Sequence, residues 1–161
     1  MRIIGIDPGV ATTGWAIADF DEEERDFSVV DFGVILTSKG IEPEIRLTEI
    51  YDDLSELLKK YNPARAGVET LIFHNNAKTA IEVSQARGVV LLALARNGIE
   101  VRNFTPLQIK NQIAGYGKAD KMQVQENVRR LCNLEDTPKP DDAADAIAIA
   151  FCAIGDGTDF I

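Results

Sequence analysis

Arg2-Ile3-Ile4-Gly5-Ile6-Asp7-Pro8-Gly9, followed by Thr12-Thr13-Gly14-Trp15-Ala16-Ile17-Ala18, is the stretch whose reading decides the fold. The isoleucine-rich run is a buried strand that ends on a carboxylate. The Pro-Gly pair turns the chain, and a second β-rich run returns beside the first. Asp-Pro-Gly is good turn chemistry by itself, so Asp7 alone is no more than a turn former. An acid at the mouth of a core strand is nevertheless costly unless solvent, a donor or a cation meets it.

Working outward, Asp21-Glu22-Glu23-Glu24 forms a solvated hairpin tip, and Phe27 to Ile35 is a third strand, which completes an antiparallel meander. Pro43 opens a helix whose apolar residues, from Leu47 to Tyr61, recur at helical spacing, and Pro63 ends it. Ala64 to Glu69 is a short strand that again finishes on a carboxylate. Asn76 caps a long helix reaching about Asn97, with Gly98 as its stop. Its second half, Gly88 to Ala95, is apolar on all faces, which predicts burial on both sides: by its own sheet and by something else, either a partner chain or the terminal helices. Ile99 to Phe104 is a fifth strand. Thr105-Pro106-Leu107-Gln108 and Asp120-Lys121-Met122-Gln123 are capping boxes that start two helices, and a last helix runs from Asp141 to Phe151.

Strand–helix–strand links are right-handed crossovers, so the first, fourth and fifth strands become parallel neighbours with the meander at one edge. The expectation is one α/β domain over residues 1–161, a five-stranded mixed sheet with helices on both faces. Ligands gather at the carboxyl ends of parallel strands in such sheets.

The 161 residues carry a net charge of −9, which by itself argues against a nucleic-acid partner. The charge is unevenly placed. Thirteen acids against three bases lie between Asp19 and Glu56, and nine bases against four acids between Lys78 and Arg130, so one flank is able to meet a polyanion. No long apolar run or leader pattern is present, and a cytoplasmic protein without membrane contact is expected. Cys132 and Cys152 lack metal-ligand spacing and are expected to be buried reduced thiols.

Asp7 and Glu69 end neighbouring strands. On the last helix, Asp145 shares a face with Asp142 at a spacing of three and with Asp141 at a spacing of four, so spacing does not choose between them. Acids in a first helical turn also complement the dipole. Asp145 lies deeper, among Ala143, Ala144, Ala146 and Ile147, where a lone charge is expensive. Carboxylates converging without Cys or a His cluster make a hard, all-oxygen site suited to Mg²⁺ or Mn²⁺. Two such ions, roughly 3.5–4 Å apart, support phosphodiester cleavage. The sole histidine, His74, is more often inert in such a loop than a proton carrier.

Ile4-Gly5-Ile6-Asp7-Pro8-Gly9 with Thr13-Gly14, Val68-Glu69, Ser84-Gln85-Ala86-Arg87-Gly88 and Asp142-Ala-Ala-Asp145-Ala-Ile-Ala resemble the RuvC-type Holliday junction endonucleases, from Arg2 to about Ala153. The resemblance implies an RNase H-like fold and a homodimer that makes paired symmetric nicks in four-way junction DNA, working with a branch-migration motor. It implies catalytic, metal-holding roles for Asp7, Glu69, Asp142 and Asp145, with two Mg²⁺ per site, and leaves Asp141 as a cap. It places DNA contacts at Lys110, Lys121 and Arg87, with Lys118 as an extra basic candidate. The family's base-stacking Phe aligns with Ile72, so either the adjacent Phe73 takes that role here or the junction core is opened differently. Two rival readings are an actin-like phosphate-binding ATPase and a non-catalytic junction-binding module.

Overall fold

The computed structural model describes residues 1–70, 77–115 and 117–155, apart from the side chains of 77 and 78. Three strands open the chain: β1 (Arg2–Asp7), β2 (Thr12–Asp21) and β3 (Asp26–Leu36). Helix α1 (Pro43–Tyr61) leads to β4 (Arg65–Glu69), and α2 (Ala77–Arg96) to β5 (Glu100–Phe104). Helices α3 (Pro106–Ala114), α4 (Lys121–Leu131) and α5 (Asp141–Cys152) follow.

The sheet order is β3-β2-β1-β4-β5. β1 pairs antiparallel with β2 and parallel with β4, and β4 pairs parallel with β5. This is the mixed sheet expected from the sequence. β1 sits at its centre, which is why Ile3, Ile4 and Ile6 are fully buried. Alternation along β1 divides its side chains between the two faces. Ile4 and Ile6 join Ile17, Leu54, Val68, Val90 and Leu94 under α1 and α2, whereas Ile3 joins Ala146, Ile147 and Ala150 under α5.

Local chemistry sets the ends of these elements. Asn62 closes α1 in a left-handed conformation immediately before Pro63. Both capping boxes form, Thr105 with Gln108 and Asp120 with Gln123. Thr13 is fully buried, and its hydroxyl donates to the Gly9 carbonyl at 2.6 Å, locking the turn after Asp7. Asp141 departs from expectation. It is the first residue of α5, not its cap; Pro140 holds the cap position and no side-chain cap bond forms.

The apolar second half of α2 is covered on one side only among the described residues. Val90, Ala93 and Leu94 are buried on the sheet, while Leu92 is 54% exposed, as is Ile81 (59%) in the first half of the helix. The terminal helices do not cover them, because α5 lies against β1, β2 and β4 on the opposite face. Asn76, the expected cap of this helix, lies outside the described residues, as do Ile72, Phe73 and His74. Cys152 is buried and Cys132 half-buried, both as free thiols that burial pushes up to about 12. No described helix is long and apolar enough to cross a membrane.

Candidate active site

The parallel register of β1 and β4 pairs Ile6 with Val68, so Asp7 and Glu69 emerge side by side at adjoining strand ends. Helix α5 brings the other acids to them. It lies so close to the sheet that a Cβ on Gly14 would stand 2.1 Å from the Asp142 carbonyl oxygen, and one on Gly5 2.0 Å from that of Ala146. Only glycine permits this approach, and it lowers the first turns of α5 onto the ends of β1 and β2. Isolated glycines inside strand patterns are the sequence signal that such an approach exists.

The electrostatics record the result. Desolvation pushes the Asp7 carboxyl up to about 8, reinforced by the charges of Glu69 and Asp145, a hydrogen bond with Glu69, and the charge of Asp142. Glu69 is also raised, by burial and by Asp145, against the hydrogen bond with Asp7 and the charge of Lys110. Burial raises Asp145, with Lys121 opposing. Side chains from β1, β4 and α5 therefore share one under-neutralised region.

A cavity of about 200 Å³ adjoins it, lined by Glu69, Asp145, Lys110, Lys121 and the apolar Pro106, Ile109, Val124 and Ile149. Lys121 Nζ lies 3.1 Å from Asp141 and 3.7 Å from Asp145. Burial alone would lower the Lys121 ammonium, but its hydrogen bond to Asp141 and the surrounding carboxylates more than offset this. Asp141 thus holds a lysine instead of capping the helix, and the Lys121 hydrogen bond keeps its carboxyl below the usual range.

Among the described residues no three acidic, His or Cys side chains stand close enough to enclose one ion as they are placed. Asp7 is hydrogen-bonded to Glu69, and Lys121 flanks Asp145. A cation held by Asp7, Glu69 and Asp145 would have to replace these contacts with its own. The donor set suits that exchange: oxygen only, desolvated, and mutually repelling.

The remaining sequence candidates divide. Lys110 faces the cavity, and Lys118 is exposed on the α3–α4 loop outside its lining. Arg87 is committed within the chain: Nε donates to the Glu69 carbonyl at 3.2 Å and Nη2 to Asn103 Oδ1 at 2.5 Å. Phe73 lies outside the described residues.

The comparisons agree with one another. Residues 3–153 match the family described as crossover junction endodeoxyribonuclease RuvC. The protein of that name from Fusobacterium nucleatum is 50% identical over 154 residues, 96% of this chain and 80% of the relative. Its counterpart from Roseiflexus is 49% identical over 151 residues, 94% and 89% of the two chains. A solved structure described as Thermus thermophilus RuvC in complex with Holliday junction substrate aligns with a TM-score of 0.87 at 31% identity, covering 93% of this chain and 90% of that one. The sheet order, the helices on both faces and this alignment make the fold RNase H-like. By sequence over nearly its whole length, and by structure, this chain belongs to the crossover junction endodeoxyribonuclease RuvC family.

Proposed function

We propose that the chain resolves four-way DNA junctions by paired symmetric nicks, with Asp7, Glu69, Asp142 and Asp145 as metal-holding catalytic residues. The observation that carries this reading is the convergence of carboxylates from three separate elements on one desolvated spot, where Asp7 is pushed up to about 8. A purely structural role would not repay burying so much like charge. Divalent cations, Mg²⁺ in the first instance and Mn²⁺ as a substitute, would lower the pKa of a water and offset charge on the leaving 3′ oxygen.

The chain's own residues supply the rest. Glu69 and Asp145 share a cavity wall with Lys110 and Lys121, so a scissile phosphate entering there meets both ammonium groups while its reacting face turns to the acids. Those two lysines complement the charge that builds on the phosphoryl oxygens. The apolar residues of the lining limit the water that competes for the site. Lys118, exposed on the α3–α4 loop, meets the DNA backbone, and Phe73, outside the described residues, stacks on a base at the crossover.

Two-fold symmetry of the substrate calls for two copies of the chain, one active site per strand. The uncovered face of α2, with Ile81 and Leu92 exposed and Gly88 open, is the proposed pairing surface. A branch-migration motor as partner rests on family resemblance alone.

Incubation with a synthetic four-way junction and a matched linear duplex, in Mg²⁺ or in EDTA, tests the activity. The expected result is opposed nicks in the junction only, and only with Mg²⁺. Equal nicking of the duplex, or nicking in EDTA, would overturn the reading.

A further inference from the structure

We infer that Arg87 is a positioning residue, clamping the carboxyl end of β4, and with it Glu69, against β5. This deepens the proposed function and rests on Glu69 being catalytic there.

β4 is short, and its parallel ladder with β5 ends at the Glu69–Phe104 pair. Thr70 extends the pairing by one residue, its N–H donating to the Phe104 carbonyl at 2.8 Å and its hydroxyl to the same oxygen at 3.1 Å. The Glu69 carbonyl is met by Arg87 Nε at 3.2 Å, and the same guanidinium reaches Asn103 Oδ1. One planar fork therefore joins the main chain of the carboxylate-bearing residue to a side chain on β5. A guanidinium offers donors in fixed directions, so it sets orientation as well as distance.

The location explains why such a clamp is needed. The Glu69 side chain is desolvated, hydrogen-bonded to Asp7 and repelled by the Asp145 charge on α5, so the strand end that carries it gains from an anchor of its own. Holding Glu69 by its backbone leaves both carboxylate oxygens free for the site. Groups that orient metal-holding residues in this way are typically worth roughly 10–100-fold in metal affinity or activity.

A phosphate-contacting arginine and a clamp differ in what a lysine restores. Lysine keeps the charge but not the fork. The test compares the full chain with its Arg87→Ala, Arg87→Lys, Asn103→Ala and Glu69→Gln variants. Single-turnover cleavage of a synthetic four-way junction is measured at saturating protein, together with the Mg²⁺ concentration giving half the maximal rate. The salt dependence of junction binding is measured in EDTA.

Both Arg87 variants are expected to lower the saturated rate by roughly 10–100-fold and to raise the half-saturating Mg²⁺, with the salt slope of binding unchanged. Asn103→Ala, which removes one acceptor and leaves α2 intact, is expected to show the same pattern more weakly. It carries the test if Arg87→Ala does not fold. The clamp is overturned if Arg87→Lys restores the rate while Arg87→Ala reduces the salt slope by about one, the mark of a phosphate contact. A parental rate in Asn103→Ala also overturns it. If Glu69→Gln cleaves like the parent, the catalytic reading of Glu69 fails; if Glu69→Gln is inactive and the Arg87 and Asn103 variants cleave normally, only the clamp does.

Discussion

Replacing Asp7 by Asn should abolish cleavage and, in the metal-free protein, raise stability. The Asp7 carboxyl stands at about 8 in the folded chain, through burial and the neighbouring carboxylates, against about 3.9 when unfolded. Between those values the folded protein keeps a proton that the unfolded chain has released. For this group the stability present below about pH 4 is therefore lost as pH rises, by up to about 1.4 kcal/mol per pH unit, and levels off above about pH 8.

Summed over that window the ceiling is on the order of 5 kcal/mol. Relaxation and water entry around a partly open site reduce it to roughly 2–3 kcal/mol. Asn carries no charge, and its amide is able to donate to Glu69 as the protonated Asp7 does. Thermal melts of both proteins in EDTA should thus show Asp7→Asn more stable by about 4–12 °C at pH 8, at about 2–4 °C per kcal/mol for a chain of this size. The gain should shrink towards pH 5 and vanish below about pH 4. A variant less stable than the parent at pH 8, or a gain independent of pH, would refute the argument that Asp7 is held among like charges.

Gly14→Ala places a methyl group against the Asp142 carbonyl, 2.1 Å from the added carbon, and should cost about 1–3 kcal/mol in the melt. By shifting α5 it should also cut junction cleavage roughly a hundredfold; parental activity would mean that α5 need not sit so low. Leu92→Arg, on the exposed face of α2, should convert a dimer to monomers in sedimentation without lowering the melting temperature, and an unchanged assembly would move the interface elsewhere. Lys121→Ala removes a cavity-lining charge that also pairs with Asp141 and Asp145. It should slow single-turnover cleavage about 10²–10³-fold with Mg²⁺ present, and an unchanged rate would place the phosphate away from this wall.

Much of this architecture was legible in the residues because it is governed by local rules. The isoleucine run of β1, the helical spacing of α1 and the two capping boxes depend on neighbours within a few positions, and each formed where its pattern lay. Handedness of the crossovers then set the strand order, so that Asp7 and Glu69 were predictable neighbours. Family resemblance selected Asp142 where spacing left Asp141 equally open.

Other assignments waited for the tertiary structure. Asp141 was expected to cap α5, but its partner is Lys121 at the start of α4, a helix whose approach no local pattern encodes. Arg87 was expected on DNA, but its guanidinium meets acceptors on β4 and β5, 18 and 16 residues away along the chain. The apolar back half of α2 predicted burial on two sides, and packing showed which side the chain leaves open. Backbone propensity acts over a turn or two of chain, whereas the direction of a charged side chain is decided by whichever partner the fold brings within about 3 Å of it.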